Sequence, residues 1–150
     1  MSSFKGFAEL RVPRDLVRKL EYDLERVLKS PQEQYAAFDF FVTAEHIVDW
    51  LHPDDKEARK SLRSSSSLLR FTSHLANTVK HFDAKAKHHQ SVADVEKPRF
   101  VAAGYVKDGF FEDPVTVHLT ADERQWFGQS SIDVTVLAQQ VYEYWKANAP

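Results

Sequence analysis

The chain has 150 residues, 43% of them hydrophobic, with eleven Phe, five Tyr and three Trp; this suits a folded globule with a sizeable core and excludes a disordered chain. A formal charge of −2 excludes wholesale electrostatic attraction to nucleic acid or membrane, so any basic footprint has to be local. With no Cys there are no disulfides, no thiol chemistry and no Cys-ligated zinc, and four Gly leave no Gly-rich phosphate loop.

No apolar run approaches the ~20 residues that span a bilayer, and the first fifteen residues lack a signal-peptide core. The expectation is a soluble, cytoplasmic protein with no membrane partner. Residues 1–11 read as a short extended lead-in tacked to the core by Phe4 and Phe7. Pro13 suits a helical first turn, and Leu16, Leu20, Leu24 and Leu28 recur at i+4 behind it, with Val17 and Val27 widening the stripe. Ser30-Pro31-Gln32-Glu33 has the form of a capping box opening a second helix. That helix, YAAFDFFVTAEHIVDWL, is apolar over a wide arc (Phe40, Phe41, Ala44, Ile47, Val48, Leu51), which predicts the central and most buried one. Asp39, Thr43, His46 and Trp50 share a separate edge, and His52-Pro53 ends it.

The charge-rich segment 54–63 predicts a short helix, and Ser64–Ser67 a kink or cap before the next. In LLRFTSHLANTVKHF, Leu68, Phe71, Leu75, Val79 and Phe82 fall within roughly 80° of one another on a helical wheel. Arg70, His74, Asn77 and His81 fall within roughly 60° of one another on a second ridge, with no acid among them. The polar stretch 83–99 reads as a loop carrying Lys85, Lys87, His88 and His89. Arg99–Val106 and Pro114–Leu119 have strand composition around the turn Lys107-Asp108-Gly109. A further short strand is expected at Gln125–Phe127, and Ser131 is expected to cap a last amphipathic helix. The sum is an α-dominated α+β fold: a single domain over 1–150, four or five helices, and a small antiparallel hairpin at about 99–127 before the C-terminal helix.

The chemistry in this pattern lies on the second ridge. A His near neutral pKa moves protons at pH 7, an Arg holds phosphate or developing charge, and an Asn orients either. His81, Arg70, His74 and Asn77, with Asp39 as an orienter, are the candidate catalytic residues, and Lys80, Lys85, Lys87 and His88 the candidate nucleic-acid contacts. Against this stands the plainer possibility that the sheet covers the ridge and uses its polar groups as backbone partners. Convergence of Asp39, His46, His74 and His81 on a metal is a further alternative, but no HExxH spacing supports it. No cofactor is expected, and no elbow serine or Walker loop is present.

The segments AAFDFFVTAEHIVDW and RFTSHLANTVKHF, with the final VYEYWKA helix, resemble a family of small bacterial and phage-associated proteins without an assigned activity. The DFFVTAxH and ANxxKHF pairing also resembles, more distantly, the HEPN helical domains. That resemblance implies a helical bundle, frequently dimeric, in toxin–antitoxin, phage-defence or RNA-processing systems. Its catalytic members are metal-independent endoribonucleases using an Arg, a polar residue and a His. Asn77 and His81 match the last two, while Ala76 stands where the Arg would be, so that Arg70 or Lys80 would have to substitute. The implied function is RNA binding or cleavage; the alternative is a non-catalytic module that meets a protein partner or forms a homodimer.

Overall fold

The computed structural model describes residues 5–81, 90–97 and 114–150, and shows an α-dominated α+β fold with a three-stranded antiparallel sheet. Helix α1 (Pro13–Lys29) begins at Pro13, where the missing N–H costs nothing. Asp15 closes its first turn, its Oδ2 accepting from the backbone N–H groups of Arg11 and Val12. Leu16, Val17, Leu20, Leu24 and Val27 form the buried stripe, whereas Leu28 lies on the exposed side.

Helix α2 (Gln34–Leu51) starts later than the Ser30 capping box implies. Ser30 is used by the preceding helix, its N–H closing onto the Arg26 carbonyl, so Glu33 caps α2 through bonds from the Tyr35 and Ala36 N–H groups. This helix is central: it packs against α1, α3 (Lys56–Ser64), α4 (Ser67–His81) and α6 (Val134–Asn148). Phe40, Ala44 and Ile47 are fully buried along it. Asp55 caps α3, and Ser66 Oγ accepts from the Leu69 N–H where α4 begins, so the serine run is a helix-to-helix cap.

Strand β1 (Val92–Glu96) falls in the stretch read as a loop. It pairs antiparallel with β2 (Thr116–Leu119), with a register shift between Val92 and Asp94. Four of its five residues are exposed, so its alternation carries little apolar signal and the pairing with β2 makes it a strand. The expected strand 99–106 and its turn at 107–109 lie outside the described residues, as does Phe82.

Two other expectations are corrected. Gln125–Phe127 is not a strand but the end of helix α5 (Ala121–Phe127), which Gly128 closes in a left-handed conformation at φ +83°. Ser131 is not a cap: Ser131–Asp133 forms β3, paired with β2 through Val117↔Ile132, and α6 starts at Val134 behind Asp133. Ile132 needs the core, and the β2 edge offers its backbone a partner, so the strand wins over an earlier helix start. The core joins α1, α2, α4 and α6 to the inner face of β2, with Leu20, Phe40, Phe71, Val117, Leu137 and Trp145 at its centre.

Candidate functional site: the groove between α2 and α4

Helix α4 has two buried sides. Phe71 and Leu75 continue the expected stripe, while Leu69, Thr72, Ser73 and Ala76, at i, i+3, i+4 and i+7, bury a second one. The polar ridge runs between elements, and its N-terminal half is closed. Arg70 Nε donates to Glu123 Oε1 on α5, Nη2 to Ser67 Oγ at 2.9 Å and Nη1 to the Ser64 carbonyl at 2.9 Å. The ridge lacks an acid of its own; a distant segment provides one, and Glu123 is itself buried. His74 lies beneath β1, its Nδ1 accepting from the Val92 N–H at 3.1 Å, so the strand reads that ring as an acceptor.

The C-terminal half differs. Asn77 Nδ2 donates to the Ser73 carbonyl at 2.8 Å, and Lys80 and His81 are exposed on the last turn. Asp39 is not with them. Its carboxylate faces α1, accepting from Arg26 Nη1 at 2.7 Å, so the role of orienting a ridge histidine is corrected to that of an interhelix ion pair. Among the described residues no group of three or more His, Asp or Glu converges closely enough to hold a metal, so the Asp39–His46–His74–His81 convergence does not form. Lys85, Lys87 and His88 lie outside the described residues.

What the ridge does border is a groove of about 600 Å³ between α2 and α4. Phe38, Val42 and Val79 line its apolar side, His46, Asn77 and Lys80 stand along it, and Glu45 and Ser73 are among its buried lining. Glu45 Oε1 takes the Arg63 Nε–H, and Arg63 Nη2 reaches Asp49 Oδ1 at 2.8 Å, which ties α3 to α2. Burial lifts the Glu45 carboxyl from an ordinary 4.5 to about 7. Arg63 draws it back down, Asp49 pushes it further up, and Ser73 draws it down slightly. Burial lowers the Arg63 pKa, but the facing Glu45 and Asp49 carboxylates outweigh it and leave the guanidinium above its usual range.

Ser73 Oγ is close enough to influence Glu45, yet neither Ser73 Oγ nor Glu45 Oε2 meets a well-formed hydrogen bond among the described residues. Glu45, Asp49 and Arg63 escaped the sequence reading. The signal was a charged residue inside an apolar arc: Phe41, Ala44, Glu45 and Val48 share one side of the most buried helix. No protein-family model, no curated protein and no solved structure matches the chain, so its fold and the α2–α4 groove stand on their own geometry.

Proposed function

We propose that the protein is a helical domain that binds single-stranded RNA along the α2–α4 groove, with Lys80 and His81 meeting phosphates and Asn77 and His46 beside them. The observation that carries this reading is the C-terminal half of the ridge, where exposed Lys80 lines the groove and exposed His81 follows it on the last turn of α4. Binding is favoured over cleavage because Arg70, the transition-state contact a nuclease would need, is held by Glu123 and two serine oxygens.

The test is fluorescence anisotropy with a labelled RNA oligonucleotide in EDTA, comparing wild type with the Lys80→Ala/His81→Ala double variant. The variant is expected to bind more weakly and to show a salt dependence shallower by about one to two phosphate contacts, at a log–log slope of roughly 0.7 each. Equal affinity and equal slope overturn the reading. RNA cleavage that survives Arg70→Ala and is lost in His81→Ala restores the nuclease.

A second reading, a protein-interaction module with a second copy as the simplest partner, is favoured by an adjoining apolar groove of about 870 Å³ between α2 and β1, which shares Phe38 and Val79 with the first. Tyr35, Phe38 and Val95 are exposed along it. Light scattering separates the two: a dimer that Tyr35→Glu dissociates supports the module.

A further inference from the structure

A serine inside a helix ordinarily returns its hydroxyl to the carbonyl four residues back. In α4, Thr72 Oγ1 does this to Leu68 at 2.8 Å and Thr78 Oγ1 to His74 at 2.9 Å, but Ser73 Oγ does not bond to Leu69. The Ser73 carbonyl is engaged by Asn77, and Ser73 itself, 3% exposed, is part of the groove lining beside Glu45. The Glu45 side chain is nine-tenths buried and half used: Oε1 holds Arg63, whereas Oε2 has no donor of good geometry among the described residues. Two adjacent polar groups, one able to accept and one able to donate or accept, therefore sit in the buried wall of the same groove. Phe38, 47% exposed, and Val42 and Val79 give that space an apolar wall, and Lys80 places a cation along it.

This arrangement matches a flat, apolar-faced group whose edge carries a hydrogen-bond donor next to an acceptor, attached to an anion. We propose that the groove is a nucleobase pocket, in which one unpaired base lies against Phe38 with its Watson–Crick edge turned to Glu45 Oε2 and Ser73 Oγ, and its phosphate toward Lys80. The proposal rests on the RNA-binding reading and adds to it the part of the RNA that is recognised. Each base offers an N–H on that edge, and Glu45 Oε2 accepts it while Ser73 Oγ–H donates to the neighbouring ring nitrogen or carbonyl. A paired base has that edge occupied, so duplex RNA is rejected.

Ser73→Ala is the cleanest probe, since among the described residues the hydroxyl it removes acts only on the neighbouring Glu45 carboxylate, and weakly. Its unfolding midpoint is expected to equal or exceed that of wild type, while affinity for a single-stranded RNA oligonucleotide falls about tenfold, as for one hydrogen bond beside a charged group. Phe38→Ala, at an exposed position, is expected to weaken binding to a similar degree. Wild type should prefer the single strand to its duplex, and a nucleoside monophosphate should displace the labelled strand where ribose 5-phosphate does not. If RNA binds and still depends on Lys80 and His81, but Ser73→Ala and Phe38→Ala bind as wild type, or ribose 5-phosphate competes equally, the base pocket falls and the RNA-binding reading stands. If no RNA is bound at all, both fall.

Discussion

Two carboxylates are buried on opposite flanks of α2, and they have opposite surroundings. On the α1 side, Asp23 has no exposed surface; its Oδ2 accepts from Lys19 Nζ and from Thr43 Oγ1, each at 2.7 Å, and Arg26 stands 3.7 Å from Oδ1. On the α4 side, Glu45 lies in the buried wall of the groove with Arg63 on one oxygen and no hydrogen bond among the described residues at the other, and its pKa rises to about 7. Desolvation acts on both. At Asp23 two donors share Oδ2 while Oδ1 has only the Arg26 charge and no hydrogen bond among the described residues, and the Thr43 bond makes the residue a clasp between α1 and α2. At Glu45 one oxygen likewise lacks a hydrogen bond among the described residues, but this carboxylate is part of a groove lining, which places it beside whatever enters there. A buried acid by itself is no sign of function; a buried acid whose partners run out beside a cavity is one.

The contrast can be broken most forcefully at the clasp. Asp23→Ala removes two charge-assisted hydrogen bonds and should cost about 3–5 kcal/mol in urea unfolding, without altering RNA affinity per folded molecule. A loss under about 1 kcal/mol would mean that Asp23 is no clasp.

The next effect is a pH dependence. Glu45 holds its proton more tightly folded than unfolded, so between about 4.5 and 7 the folded state binds more protons. Stability therefore falls as pH rises through that window, by up to about 3 kcal/mol, and levels off above it. Glu45→Gln should flatten that slope. A wild-type profile that rises from pH 4.5 to 7 would refute the assignment.

Arg70→Ala sharpens the contrast from the closed half of the ridge. It leaves Glu123 buried without its guanidinium partner, so stability should drop by roughly 2–3 kcal/mol while RNA affinity holds. A collapse of RNA affinity with stability unchanged would return Arg70 to the functional surface. The smallest effect belongs to Asp39→Asn, at a half-exposed pair with Arg26, where thermal melting should show little change and RNA binding none.

Much of the helical frame was legible. The i+4 leucines of α1, the apolar arc of α2 and the Phe71–Leu75 stripe of α4 are local patterns with a 3.6-residue period, and each predicts its helix and one buried side. Helix α5 had a legible signature too, Thr120-x-x-Glu123 ahead of Gly128, although neither side chain caps: Thr120 Oγ1 donates to the Gln90 carbonyl and Glu123 binds Arg70. The candidate site was half legible. Lys80, His81 and Asn77 stand where the wheel puts them, but a wheel carries no information about which neighbour will cover each residue.

By itself, then, the chain determined five helical segments, an α-dominated fold class and one ridge of Arg, His, Asn and His, because these depend on residues within a turn or two of one another. Only the tertiary structure decided that β1 is a strand, that Arg70 is taken by an acid 53 residues away, that Asp39 turns to α1, and that Glu45 and Ser73 meet across the α2–α4 groove. The physical reason is that desolvation and hydrogen-bond satisfaction belong to pairs of elements: a side chain's chemistry follows from what the packed neighbour offers it, and that neighbour is chosen by the whole fold.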